Sequence, residues 1–297
     1  MHFVLTAALY GYLAYSGLKK QSLSVSGALA AGELPYSLLT THPPSTHFTL
    51  CLVLLTFYLS SSKLTKVGNK TKVAIEEDFK VGGQRTAVQV FSNGFTGTVI
   101  ACLHYMVSLC FADASSPSDW IVRLNTALIA AYIGHYACCN GDTWASELGV
   151  LSHGQPFLIT TFKSVPKGTN GGVSAVGLAA SVLGGALVGF VGALAFLINN
   201  YNCVTASMVS HLVMWGAACG LVGSLIDSML GATLQRSTFN KRTGKIAPDF
   251  RRPKRHEDKA DLVVVSGWEL LDNHQVNFVS SLSTAILAGI VAYNYYY

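Results

Sequence analysis

The sequence predicts an all-α fold, a polytopic transmembrane helical bundle of about seven or eight spans. Three observations lead there. Only 12% of the 297 residues are charged and 51% are hydrophobic, with a mean hydropathy of +0.41. A soluble domain carries about 25% charged residues to cover its surface. The charges are gathered into islands, and the stretches between them are long enough to cross a bilayer. Those stretches show no period-2 alternation, and lipid tolerates only helices or closed barrels, so the spans are helical.

The predicted spans are residues 3–18, 46–61, 87–111, 121–140, 172–198, 205–231 and 274–295. A weaker eighth, 22–41, contains Glu33 and Pro35 and reads as re-entrant or distorted. The N-terminal run has no Lys or Arg before it, so it reads as a retained span or anchor rather than a cleaved signal. Of the 20 Lys and Arg, two are Lys19 and Lys20, six lie between Lys63 and Arg85, and nine lie between Arg236 and Lys259. Arg123, Lys163 and Lys167 complete the set. Eight spans place all but Arg123 on one side of the membrane, which is the positive-inside pattern. Seven would strand Lys19 and Lys20 on the other side. The chain is therefore read as a single transmembrane domain over 1–297, with cytosolic (or stromal) loops 62–86, 141–171 and 232–273. The net charge of +5 belongs to these loops. Anionic lipid and topology explain it, and nucleic acid is not expected as a partner.

Within the loops, 63–85 mixes basic and acidic residues and is expected to hold a short surface helix. The 236–261 stretch is strongly basic, with RRPKRHEDK expected to be mobile. The seven cysteines sit in or beside apolar segments with no CxxC, and are read as reduced packing residues rather than disulfides or zinc ligands. His104, His135 and His211 are read as bundle residues, Gly185 and Gly189 as a GxxxG packing pair, and Tyr295–Tyr297 as an interfacial anchor.

Five polar clusters need explaining. Asp142 and Glu147 lie in NGDTWASELGVLS, where Gly141–Asp142 is expected to break the apolar run. They are five residues apart, about 140° round a helix, so they do not share a face. The plain reading is a helix cap, and the functional one is an ion site. In TTFKSVPKGTNGGVS, Lys163 and Lys167 bracket Pro166, and Gly168, Thr169, Asn170, Gly171, Gly172 and Ser174 lead into a long helix. Glycines let backbone N–H groups converge on an anion at a helix N-terminus, so the segment reads as a phosphate cradle or as an ordinary capped loop. Asp227 sits inside an apolar helix, where an acid costs about 2.5–3.5 kcal/mol on insertion scales. It is either functional or a structural acid paired with Arg85 or a lysine. Arg85, Gln89 and Asn93 repeat every four residues, as do Asn273 and Asn277, and both sets can act as interhelical glue. All five clusters fall at the cytosolic ends of different helices, as an active site at the membrane interface requires.

At these residues the chain resembles the transmembrane protein 19 family, which includes plant phytyl-phosphate kinase. The matching stretches are SSKLTK (61–66), GGQR with VQVFSNG (82–94), GDTWASELG (141–149), LITTFKSVPKGTNGGVS (158–174), GSLIDSMLGATLQ (223–235) and DNHQVNF (272–278). The first 60 residues and the 236–261 loop are less family-like. The resemblance implies CTP-dependent transfer of a phosphoryl group onto an isoprenyl monophosphate. It also suggests kinship with dolichol kinases and phosphatidate cytidylyltransferases, and points to an endoplasmic reticulum, other endomembrane or plastid membrane. On that reading CTP is the co-substrate. Asp142 and Glu147 hold Mg²⁺, with Asp227 as a second metal ligand or as the base for a free alcohol. Lys163, Lys167 and Gly168–Gly172 neutralise the phosphates, and Arg85 holds the lipid phosphate with Gln89, Asn93, Asn273 and Asn277 around it. The partners implied are an isoprenyl lipid phosphate, a nucleoside triphosphate and membrane lipids. Two alternatives stay open: a polyprenol kinase acting on a free alcohol, and a lipid-phosphate or small-anion transporter without catalysis. Polar clusters at one membrane edge favour an enzyme, because transporters place theirs near the midplane.

Overall fold

The structure, a computed structural model, describes residues 11–12, 15–19, 24, 27, 44–77, 85–112, 118–199, 205–247 and 261–295. The expected spans 3–18 and 22–41 and the RRPKRHEDK run fall largely or wholly outside these residues. Six long helices coincide with the other six expected spans: α1 (Pro44–Leu64), α3 (Ala87–Ala112), α4 (Asp119–Gly149), α5 (Ala175–Asn199), α6 (Ala206–Leu234) and α7 (Asn273–Tyr295). Among the described residues, four stretches are long and apolar enough to cross a membrane: Ala87–Leu109, Ala175–Ile198, Ala206–Leu234 and Asn273–Tyr295. Phe48–Leu64 is a shorter apolar helix.

The helix α4 is the central element and touches α1, α3, α5, α6 and α7. Residues 131–141 are buried on every side, as expected of a helix enclosed by others rather than one facing solvent. Its core partners include Val53 and Phe57 of α1, Val188 of α5, Cys219 of α6 and Ala285 of α7. Asn140 ties three helices together. Its Oδ1 accepts from Ser60 Oγ (2.6 Å) and Ser61 Oγ (3.1 Å), and its Nδ2 donates to the Gly184 carbonyl (2.8 Å). His135 meets the Asn93 carbonyl through Nε2 at 2.9 Å, a bundle role as expected. Cys51, Cys102, Cys138, Cys139 and Cys219 are free thiols.

Gly141 does not break α4. The helix runs unbroken to Gly149, so the loop expected over 141–171 begins only at 150. A Cβ on Gly141 would lie 2.7 Å from the Ser181 carbonyl oxygen and 2.8 Å from Gly220 Cα. The residue is glycine because three helix backbones meet there. Gly185 and Gly189 pack likewise against the backbone of α6 near Gly216 and Leu212, the close approach that a GxxxG pattern permits. Outward faces are apolar. On α3, Phe91, Phe95, Val99, Leu103, Met106 and Leu109 form an exposed stripe at helical spacing, the surface a lipid-facing helix needs.

The loops hold more order than their composition suggests. The 62–86 loop contains the short helix α2 (Asn69–Ile75). The chain is mostly helical, as expected, but the other two loops also carry short strands. β1 (Phe157–Leu158) pairs antiparallel with β2 (Gly172–Val173), closing the 157–173 loop at its base. β3 (Ser237–Asn240), β4 (Lys245–Ile246) and β5 (Leu262–Ser266) form an antiparallel sheet of order β4-β3-β5. This sheet grips α2. Glu77 Oε1 accepts from Asn240 Nδ2 (2.8 Å) and Thr243 Oγ1 (2.7 Å), and Lys245 Nζ donates to the Val73 carbonyl (2.8 Å).

Candidate functional site

Antiparallel helices bring alternate termini to the same side. The N-terminal ends of α3, α5 and α7 and the C-terminal ends of α4 and α6 surround one cavity of about 530 Å³, within the usual range for a ligand site. Each of the three N-termini carries a side-chain cap. Thr86 Oγ1 accepts from the Gln89 amide (3.5 Å), Ser174 Oγ from the Gly177 amide (3.1 Å), and Asp272 Oδ1 from the Gln275 amide (2.8 Å). Gln275 Oε1 returns a bond to the Asp272 amide (2.9 Å), completing a capping box. Thr86, Ser174, Asn273 and His274 line the cavity, so three helix dipoles direct positive potential into it.

The acids face this field from the opposite helices. Asp142 on α4 accepts from Ser224 Oγ (3.2 Å), and Asp227 on α6 accepts from Ser280 Oγ (2.9 Å). Both line the cavity, from two helices that pack against each other. Glu147 also lines it, but its carboxylate is ion-paired with Lys72 of α2. The same ammonium reaches the carbonyls of Thr65 (3.3 Å) and Leu64 (3.5 Å) at the end of α1. The expected metal set of Asp142, Glu147 and Asp227 is thus divided. Among the described residues no three His, Cys, Asp or Glu side chains cluster to hold a metal. The reason is helical geometry: five residues turn Glu147 away from Asp142 and toward α2.

The 157–173 loop departs from a simple cradle. Gly168, Thr169, Asn170, Gly171, Gly172 and Ser174 all line the cavity. The amides of Thr169, Asn170 and Gly172, however, donate within the protein, to the Pro166 carbonyl (3.2 Å), Ser237 Oγ (2.8 Å) and the Thr169 carbonyl (2.9 Å). Gly171, at φ 76°, presses on α6, where a Cβ would sit 2.6 Å from the Ser228 carbonyl. The glycines let the loop dock against the helix. Lys167 lines the cavity and its ammonium donates to the carbonyls of Ser152 and Val150, just past the end of α4. Lys163 is exposed and is not a cavity residue, so the structure does not bring it to the others.

Arg85 is 8% exposed and lines the cavity. Its guanidinium sits over the rings of Phe57 (5.3 Å) and Tyr58 (5.8 Å), which hold its plane in place. Burial pulls the Arg85 pKa below the usual arginine range, opposed by Tyr58 and Glu147. Gln89, Asn93, Asn273 and Asn277 line the cavity as well, with Asn93 Nδ2 donating to the Gln89 carbonyl (3.1 Å). Sequence reading missed Lys72, Thr86, His274 and Ser280. Thr86 and Ser280 carried faint signals, a cap before an apolar run and a hydroxyl one face from Asn277. Lys72 carried none, because it is one of six basic residues in the 63–85 loop.

These features define a multi-pass integral membrane protein with a polar cavity at one end of its helical bundle. The chain belongs to the family described as Integral membrane protein DUF92, whose pattern matches residues 8–285. It is 43% identical over 295 residues to Protein PGR of Arabidopsis thaliana, covering 94% of this chain and 92% of that one. An uncharacterized membrane protein of Methanocaldococcus jannaschii is 33% identical over 189 residues, 64% of this chain and 66% of its own. A third relative, an uncharacterized membrane protein of Synechocystis, is 30% identical over 184 residues, 62% of each chain. No solved structure matches.

Proposed function

We propose that this protein is a membrane-embedded isoprenyl-phosphate kinase that transfers a phosphoryl group from CTP to a lipid monophosphate. One observation carries the reading: the Asp142–Asp227 pair faces three helix N-termini and the Arg85 guanidinium across a single cavity. Two carboxylates with no ion-pair partner among the described residues attract a cation, and helix N-termini with an arginine attract phosphate, so the cavity suits a metal-bound polyphosphate. The motif resemblance to the transmembrane protein 19 family supports the choice of donor and acceptor. The fit to Mg²⁺ is good in kind, since that ion is commonly held by one or two carboxylates and completed by phosphate oxygens and water. Asp142 and Asp227 would hold it, and when bound it neutralises charge on the nucleotide phosphates. Glu147 instead fixes Lys72 and so secures α2 beside the cavity.

The protein's own residues position and neutralise, which is most of what phosphoryl transfer requires. Arg85 offers two parallel N–H donors to the acceptor phosphate, from a plane set by Phe57 and Tyr58. An oxygen of that phosphate attacks the γ-phosphorus. The bond from the γ-phosphorus to the β–γ bridging oxygen breaks, CDP leaves and the acceptor becomes a diphosphate. The acceptor is already an anion, so no strong base is required. The test is purified protein in detergent with γ-labelled CTP and Mg²⁺, offered isoprenyl phosphates and isoprenols in parallel. Label is expected in a lipid diphosphate, and its transfer is expected to be lost in Asp142→Asn and Asp227→Asn. Label on the isoprenol alone would make the protein a polyprenol kinase. No transfer to any acceptor by folded protein overturns the enzymatic reading in favour of transport.

A further inference from the structure

Two loops at the cavity end of the bundle present large apolar side chains outward on firmly held backbone. In the first, Phe162 is 77% exposed. It has φ 54°, the only positive φ outside glycine among the described residues, a conformation unfavourable for a bulky side chain. The turn that holds it is bonded tightly: Phe162 N donates to the Leu158 carbonyl (2.8 Å), and Leu158 N to the Lys163 carbonyl (2.9 Å). The Phe162 ring stacks on Phe157, with centroids 5.8 Å apart and planes 17° apart. In the second loop Trp268 is 75% and Leu270 64% exposed. Glu269 between them is ion-paired with Arg236 at 3.0 Å.

The position of the second loop identifies what covers it. Trp268 N donates to the Thr233 carbonyl (2.9 Å), and Leu270 N to the Leu234 carbonyl (3.1 Å), so the segment lies alongside the last turn of α6. Val222, Met229 and Thr233 are exposed on one face of that helix at seven- and four-residue spacing. Trp268 and Leu270 therefore adjoin a lipid-facing stripe. The first loop joins the same assembly through a small core of Leu158, Val165 and Ala232, against which Ile159 and Val265 pack. Next to Phe162 stands exposed Lys163, a cation suited to lipid phosphate at the bilayer surface.

We infer that Phe162, Trp268 and Leu270 form an interfacial anchor that inserts both loops into the headgroup region of the leaflet bordering the cavity. Tryptophan with an apolar neighbour and a flanking lysine is the side-chain set that the membrane–water boundary favours. The anchor sets the depth of the cavity mouth. Ser266, two residues before Trp268, bonds through Oγ to the cavity residue Asn170 (3.4 Å), and Gly171 rests on α6 beside Ala232. A mouth held at headgroup level lets a lipid phosphate reach the cavity while its tail stays in the bilayer. The anchor itself stands whatever the cavity catalyses, because it rests on the loops alone.

The test uses full-length protein reconstituted into vesicles of phosphatidylcholine and phosphatidylglycerol. A fraction of the phosphatidylcholine carries bromine high on the acyl chain. The Trp268 signal is the difference between wild type and Trp268→Phe. Phe162→Trp in the Trp268→Phe background reports on the first loop. The expected result is that brominated lipid removes the larger part of both signals while aqueous acrylamide removes little. Circular dichroism and elution as a single species confirm that each variant is folded. A signal from either position that brominated lipid leaves intact overturns the anchor. If acrylamide quenches that signal, the loop lies in water; if acrylamide also fails, a second protein copy covers it.

Discussion

Replacing Lys72 by methionine removes one charge from the Lys72–Glu147 pair while keeping most of the side chain's bulk. Lys72 is 4% exposed and Glu147 18%, so solvent screens neither well. Breaking a buried pair by removing one partner costs roughly 3–5 kcal/mol, because the other charge is left uncompensated. The carbonyls of Leu64 and Thr65 lose the lysine's bonds at the same time, though Leu64 keeps the Val67 amide. Total stability is about 5–15 kcal/mol for an ordinary domain, so the loss is a large share. Removing both charges in Lys72→Met, Glu147→Gln should restore at least ~1 kcal/mol, the signature of direct coupling. Equilibrium unfolding in mixed detergent micelles, followed by tryptophan fluorescence, measures both variants. A cost for Lys72→Met below about 1 kcal/mol, the range of exposed ion pairs, would refute the reasoning. So would a double variant no more stable than the single one.

Other substitutions test the remaining contacts. Gly141→Val should destabilise by ~1–3 kcal/mol or more, because its side chain meets the Ser181 carbonyl and Gly220 backbone rather than movable groups; the same unfolding assay reads it. Asn140→Leu strands Ser60 and Ser61 and the Gly184 carbonyl, and should cost about 1–3 kcal/mol. Lys163→Ala should change stability by no more than about 0.5 kcal/mol and leave nucleotide binding unchanged, since Lys163 is exposed and outside the cavity. Arg85→Lys should weaken binding of a soluble isoprenyl phosphate analogue nearly as much as Arg85→Ala does. An ammonium neither stacks as a plane between Phe57 and Tyr58 nor offers two parallel donors.

What could be read in advance followed from period and composition. The apolar runs ending near Ala112, Asn199 and Tyr295 are helices within a few residues of where hydropathy puts them, because lipid leaves the backbone no alternative. Gly185–Gly189 announced helix contact. The clusters around Asp142, Asp227, Asn273 and Arg85 announced a shared end, since alternating helices must return there. Gly141 misled, because a glycine that ends a helix and one that lets helices touch look alike until the neighbour is known. The β3–β5 sheet was illegible for a similar reason: its strands have two to five residues, too few to show a period. Lys72 was hidden by its basic neighbours, and only tertiary packing distinguishes it from the solvated lysines. Glu147 and Lys167 were found as cavity residues, but their bonding to Lys72 and to the carbonyls of Ser152 and Val150 had no local signal.

The most direct measurement is binding of a non-hydrolysable CTP analogue to the detergent-purified protein, with and without Mg²⁺, by calorimetry. Wild type should bind the analogue only with Mg²⁺. Asp142→Asn and Asp227→Asn should each lose that dependence together with most of the affinity, and Lys163→Ala should bind as wild type does. Equal affinity in wild type and both aspartate variants, or no binding by folded wild-type protein, would contradict a cavity in which two acids and three helix N-termini jointly hold a metal-bound polyphosphate.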